Sequence, residues 1–180
     1  MGTTTSLVLF TLLVGAVGLE RVAELVVSER NAAWSLRRGG IETGRGHYPF
    51  MVALHTGLLV GALLEVWARR PDFAPVLGWT MVALVIASQA LRWWCIATLG
   101  RRWKTRVIVE PELPLVTRGP YRWLRHPNYV AVVVEGLALP LVHSAWITAA
   151  AFTVLNAGLL TVRIRAENTA LHGAAGPGRR

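Results

Sequence analysis

The chain has 180 residues, 53% of them hydrophobic and only 16% charged, with a mean hydropathy of +0.44. Such a balance excludes an ordinary soluble domain and describes a membrane protein of about one domain's length. The formal net charge of +9 would invite a nucleic-acid partner, but the basic residues fall between apolar segments, which argues against one; the single cysteine, Cys95, excludes an internal disulfide framework and a cysteine-built zinc cluster.

Crossing a bilayer core takes roughly 20 apolar residues as helix. Five segments are predicted. Leu7 to Val27 starts purely apolar and becomes amphipathic at Glu20, Arg21 and Glu24, so its second half faces protein or the interface. The start, MGTTTSLVLF, has no basic region before its apolar stretch and no small-residue cleavage site after it, and reads as a retained helix. Tyr48 to Trp67 follows with His55 and Glu65, then Pro75 to Leu99 with Gln89 and Arg92 near its end. Tyr129 to Val142 is short and contains Pro140: it tilts little, sits where the bilayer is thin, or makes a tight hairpin with its successor. Trp146 to Val162, with Asn156, continues as helix past the membrane through Arg163, Arg165 and Glu167. The predicted fold is therefore all-α and integral to the membrane, with about five transmembrane helices. It makes a single domain over residues 1–172, with a disordered tail over 173–180.

Lysine and arginine favour the cytoplasmic side of spans. Residues 28–47 hold four, 100–126 seven and those after 162 four, against two in 68–74 and none in 143–145. That bias predicts the N-terminus outside, the C-terminus inside, and all the polar loops on one face. The longest of these loops, 100–126, contains two β-prone stretches, 106–109 and 115–117, separated by PELP, which predicts a short hairpin-like excursion.

The segment RGPYRWLRHPNYVAVVVE, 118–135, brings the chain back into the membrane. Pro127 suits the first position of a helix and His126 its cap, which leaves the amides of Asn128, Tyr129 and Val130 as donors at the positive end of the helix dipole. With Arg125 and His126 beside them, they predict a seat for a carboxylate or phosphate. The competing reading makes Arg118, Arg122 and Arg125 headgroup contacts to membrane lipids, with Trp123 and Tyr129 as an interfacial belt. Near the chain's end, RIRAEN puts Arg163 and Glu167 four residues apart on one helix face, with Arg165 on another. As hairpin neighbours, the start of the fourth span and the end of the fifth would face each other. An anion seat opposite a carboxylate fits a zwitterion.

LGRRWKTRV, LVTRGPYRWLRHPNY and RIRAEN together resemble the isoprenylcysteine carboxyl methyltransferase family of integral membrane enzymes that use S-adenosylmethionine. The resemblance covers residues 88–171 and is sharpest at RHPNY. ERVAELVVSERNAAW and GIETGRGHYPFMVALH are similar to a bacterial branch whose members often accompany type III polyketide synthases and methylate alkylresorcinols or alkylpyrones. The resemblance implies a cytoplasmic cofactor pocket formed by the last two helices and the preceding loop. His126, Pro127 and Tyr129 would contact the cofactor with Arg125 beside them, Glu167 would lie near its amino group, and Arg163 or Arg165 nearby. Many relatives carry two consecutive glutamates where this chain has Glu167 and Asn168, and its tail lacks aromatic residues found in relatives closer to the eukaryotic enzymes. These departures bear more on prenylcysteine as a substrate than on the cofactor.

Methyl transfer from a sulfonium needs no metal, and the five scattered histidines show no ligand spacing. The implied reaction moves a methyl group to an oxygen of a lipophilic acceptor entering from the bilayer, a carboxylate or a phenol or enol. A phenol benefits from a base. Glu135, an ionisable group two turns into a span, is the first candidate, with Arg163 beside the reacting groups. In the alternative Glu135 pairs with Asn156 or His55 and only fixes helix packing. Glu20, Glu24, Glu42 and His47 are weaker candidates for the mouth of the site, and His55 reads as a satisfied core histidine. Two other classes stay open: an NADPH-dependent reductase related to the membrane sterol reductases, which are much longer, and a non-enzymatic lipid-binding subunit. Richness in Ala, Gly, Val, Leu and Arg is associated with GC-rich bacterial genomes, and so with a bacterial inner membrane. Nothing in the sequence specifies the oligomeric state.

Overall fold

A computed structural model describes residues 2–43, 46, 48–110, 113–114 and 116–174, except for the side chains of 168 and 170–174. Five helices follow in order: α1 Thr3–Arg37, α2 Tyr48–Arg69, α3 Pro75–Leu99, α4 Pro127–Leu141 and α5 Trp146–Ala174. Four of them are long and apolar enough to cross a membrane; α4, with 15 residues, is the shorter fifth. Their outward residues, among them Leu12, Leu64, Val76, Ile86 and Val154, are exposed, which water would penalise and lipid does not. Trp79 and the pair Trp93 and Trp94 mark the two ends of α3, about 21 Å apart at 1.5 Å per residue, as an aromatic belt requires.

Because the helices alternate in direction, one end of the bundle collects the C-terminal ends of α1, α3 and α5 and the N-terminal ends of α2 and α4. This is the polar end. At the opposite, apolar end, Leu7, Phe10, Val14 and Val17 of α1 pack with Ala62 and Val66 of α2, Val85 of α3, and Ala138 and Leu139 of α4. The tight-hairpin alternative describes α4: Pro140 accepts the Ala145 amide at 2.9 Å and the chain reverses into α5. The turn is buried. His143, 1% exposed, bonds Ser6 Oγ at 3.0 Å and lies against the rings of Phe10 and Phe73. α5 begins on a carboxylate from α2, since Glu65 accepts the amides of Ile147 and Thr148 at 3.1 and 2.8 Å at the positive end of that helix. Gly136 lets α4 and α5 meet, because a Cβ there would fall inside the Phe152 ring.

Two expectations change. The bundle is not wholly helical: Val107–Val109 (β2) pairs antiparallel with Ile41–Thr43 (β1), which joins α1 to α2. Val116 and Thr117 are not strand, so the excursion after α3 is no local hairpin. Its partner lies over 60 residues upstream because α1 extends to Arg37, about 52 Å of helix, and delivers β1 beside it. α5 runs to Ala174, into the stretch whose composition predicts disorder; residues 175–180 lie outside the described residues, as does His47.

Candidate functional site

The stripe of α1 that faces the bundle changes character along its length. Leu7, Phe10, Val14 and Val17 are followed at the same spacing by Arg21, Glu24, Ser28, Asn31 and Ser35. The polar half is matched by the loop after α3. Ser28 Oγ bonds Thr105 through its amide (2.8 Å) and its hydroxyl (2.7 Å), Asn31 Nδ2 donates to the Trp103 carbonyl at 2.7 Å, and Lys104 Nζ reaches Ser35 Oγ at 2.7 Å and Glu110 at 2.6 Å. Arg106 pairs with Glu29 at 2.9 Å and lies 3.7 Å from Glu42. The WKTR motif thus forms a roof stitched to α1. Burial raises the Glu110 carboxyl, but hydrogen bonds from Lys104 and Ser35 outweigh it and hold the group below the ordinary carboxylate range.

Under this roof α4 begins. Gly119, at φ +58°, lets the RGPY segment pass α3, where a Cβ would lie 2.5 Å from Thr98 Oγ1. His126 caps α4 and Pro127 takes its first position. The Tyr129 and Val130 amides are not free as expected: both turn back to the His126 carbonyl, at 3.0 and 3.4 Å, because the helix closes its first turn on its cap residue.

The start of α4 and the end of α5 meet on Tyr129. Its hydroxyl donates to Glu167 Oε2 at 2.5 Å and accepts from Arg163 Nε at 2.9 Å; the Arg163 guanidinium lies 5.5 Å above the ring, and the His126 ring stacks on it at 5.1 Å. His126 Nδ1 is 3.9 Å from Glu167 Oε2. Arg163 and Glu167 therefore both converge on the hydroxyl, and Arg163 also donates to the Thr105 carbonyl and the Met51 sulfur. Tyr129 belongs to this junction and not to a lipid-facing belt, whereas Trp123 is 68% exposed as a belt residue should be. Arg125 and Arg165 are exposed at the rim.

Between the roof and the helices lies a cleft of about 870 Å³, counted with the open space at its mouth. Tyr129, Arg163, Thr105, Trp103 and Asn128 line one side; Arg21, Glu24 and Arg92 line another; Leu25, Val52, Leu59, Val132, Leu159 and Leu160 supply apolar wall. His126, Pro127, Arg125, Arg165, Glu167 and Glu135 are not among its lining residues. Asn128 was missed by sequence reasoning: its Oδ1 is buried and, among the described residues, has no hydrogen-bond partner. Its place inside RHPNY, beside the residues singled out, was the available signal.

Glu135 sits one level deeper, about 9 Å along α4 from Tyr129. Its Oε2 accepts from Arg21 at 2.7 Å and Arg92 at 3.0 Å, so its partners are neither Asn156 nor His55. Arg21 also bonds Glu24 and, at 2.9 Å, Gln89, which in turn bonds Glu20. Arg92 Nε stands 3.7 Å from Glu24 Oε1. Glu24, Arg92 and Glu135 are only 4–5% exposed. His55, which lines the cleft, bonds the Met51 carbonyl at 2.8 Å and meets Phe152 edge-on.

Helices with lipid-compatible outer faces define an integral membrane protein, and one end of the bundle holds a cleft lined by both charged and apolar side chains. The pattern of the isoprenylcysteine carboxyl methyltransferase (ICMT) family matches residues 81–173, and the chain belongs to that family of membrane methyltransferases. An uncharacterized protein of Bacillus subtilis (strain 168), YpbQ, is 38% identical over 164 residues, 91% of this chain and 96% of that one. An uncharacterized protein of Haemophilus influenzae is 24% identical over 152 residues, 84% of this chain and 88% of the other. No solved structure matches the chain.

Proposed function

We propose that the protein is an S-adenosylmethionine-dependent methyltransferase that passes a methyl group to an oxygen of a lipophilic acceptor drawn from the bilayer. The observation that supports this reading is the junction on Tyr129, where RHPNY and RIRAEN come together beside a cleft bounded by apolar side chains. The donor set fits the cofactor. Glu167, with 31% of its side chain exposed, offers a carboxylate to an ammonium group, and the unpaired Asn128 Oδ1 offers a second acceptor nearby. Arg125 and His126 at the start of α4, with Pro127 beside them, suit the cofactor's carboxylate, with Arg165 at the rim. Arg163 holds the Tyr129 ring and hydroxyl in place.

When bound, the cofactor supplies a methyl group on a positively charged sulfur. The chain's own part is to align the reactants and to keep water out, which the walls of Leu25, Val52, Val132 and Leu159 accomplish. In this reading the polar end faces the cytoplasm, in keeping with the distribution of Lys and Arg. The acceptor enters between helices from the lipid.

Isothermal calorimetry on the full chain in nanodiscs tests the reading with S-adenosylhomocysteine as the probe. Binding is expected, with Glu167→Ala and His126→Ala each weakening it by about tenfold or more, the loss of one charged or stacked contact. Wild-type affinity in both variants removes the junction from the site.

A further inference from the structure

All five helices contribute to the wall of the cleft, and contacts at its depth close most of the seams between them. Arg21 of α1 bonds Glu135 of α4 and Gln89 of α3, and Arg92 of α3 bonds Glu135. Between α2 and α5, Met51 meets Arg163 and His55 meets the Phe152 ring. Between α4 and α5, Tyr129 meets Arg163 and Glu167, and Gly136 lies against Phe152.

The seam between α1 and α2 is different. Toward the apolar end Trp67 donates to Thr11 Oγ1 at 3.0 Å, and Leu59 packs at Gly18, where a Cβ would lie 3.6 Å from its side chain. At the polar end Arg106 clamps the same two helices, pairing with Glu29 of α1 at 2.9 Å and covering the Tyr48 ring of α2. Between these closures the next rung of the seam, Leu25 on α1 and Val52 on α2, belongs to the wall of the cleft. Thr56, three helical turns before Trp67 and so on the same line of α2, lines the cleft as well and is exposed. Among the described residues it is the one lining residue that is. The cleft therefore opens sideways at Thr56, through a window that spans α1 from Gly18 to Glu29, about 16 Å at 1.5 Å per residue. Its lips, Val22 and Val26 on α1 and Val60 on α2, are exposed and apolar, so the window faces hydrocarbon and not water.

We propose that the window between α1 and α2 is the port through which a bilayer amphiphile enters the cleft. Its alkyl chain lies along Leu25, Val52 and Leu59 and runs out past Thr56 into the lipid, while its head reaches the polar side of the cleft. That this amphiphile is the methyl acceptor rests on the methyl-transfer reading above. An open window also sets a limit on selectivity. Carbons of the chain beyond Thr56 stay in hydrocarbon whether the lipid is bound or free, so they add no affinity and the site does not measure the full length of the chain.

The test uses the full chain in nanodiscs, with a fatty alcohol that carries a photoactivatable diazirine on its chain as the probe and labelled peptides read by mass spectrometry. Wild type is expected to take label on Leu25 and Val132 in the cleft as well as on the lipid-facing Leu64. In Thr56→Cys, capped with a benzyl thiosulfonate in detergent before reconstitution, the cleft label is expected to disappear while that on Leu64 stays; Cys95, 0% exposed, escapes the reagent. Reductant then removes the cap and restores the label in the same folded protein. Cleft label that persists in the capped protein overturns the proposal, and so does a wild-type cleft that takes no label from the bilayer. A shorter and a longer probe at equal mole fraction are expected to label the cleft equally, and a preference for the longer chain overturns the open window. S-adenosylhomocysteine binding is measured on the same samples. If the cap blocks labelling and S-adenosylhomocysteine does not bind, the window stands and the methyl-transfer reading fails; if it binds and the cleft stays unlabelled, the window fails and the cofactor reading survives.

Discussion

At the apolar end of the bundle, Phe10, Val14, Val66, Ala138 and Leu139 interlock with one buried polar pair, Ser6 with His143. At the polar end the same α1 stripe carries Arg21, Glu24, Ser28 and Ser35, and nearly every contact is a hydrogen bond or an ion pair across 60 residues or more of chain. The first kind of packing holds helices together without specifying a chemistry. The second is expensive in a low-dielectric surround and stable only while its partners are complete. Among the described residues it also leaves buried polar atoms without hydrogen-bond partners at Glu24, Arg92 and Asn128, all of which line the cleft. A bundle that needed only to fold would have no use for them.

The contrast can be broken most sharply at Arg92. Arg92→Leu leaves Arg21 alone to balance the buried Glu135 and Glu24, and a loss of about 3–5 kcal/mol is expected in denaturant unfolding in mixed micelles. Adding Glu135→Leu to the same chain is expected to recover much of that loss by removing the excess negative charge. Unfolding of Arg92→Leu at the wild-type midpoint would make the charged layer dispensable.

A smaller effect is expected where α4 meets α5. Gly136→Ala drives a methyl group into Phe152 and should cost about 1–3 kcal/mol by overpacking, visible as a lowered melting temperature. Phe152→Leu in the same chain is expected to relieve it, since the clash is with that ring alone.

The smallest effect belongs to the apolar end. Ser6→Ala removes one hydrogen bond to His143 and should cost about 1 kcal/mol while S-adenosylhomocysteine affinity stays unchanged, as calorimetry would show. A change in that affinity would show that the two ends are coupled.

Much of the fold was legible from composition and periodicity. Pro75 to Leu99 and the start at Tyr48 coincide with α3 and α2, because proline and the surrounding polar residues punctuate apolar runs clearly. α1 outran its expected end at Val27 by ten residues, since a helix that buries serines against a polar loop shows no apolar signal there. The meeting of RHPNY with RIRAEN followed from hairpin adjacency. Its form, two charged groups converging on the Tyr129 hydroxyl, did not.

The amino-acid sequence by itself determined that this chain spans a membrane, how many apolar segments it uses, which end gathers the basic residues, and that the RHPNY and RIRAEN motifs come together. These properties depend on residue type and neighbouring spacing, and each segment contributes independently. Only the tertiary structure decided that β2 pairs with β1, that Glu135 is held between Arg21 and Arg92, and that Glu24 faces the cleft. Pairings across 43 to 114 residues carry no local signature, because a buried charge is placed by the partners that neutralise it, and those partners come from other helices.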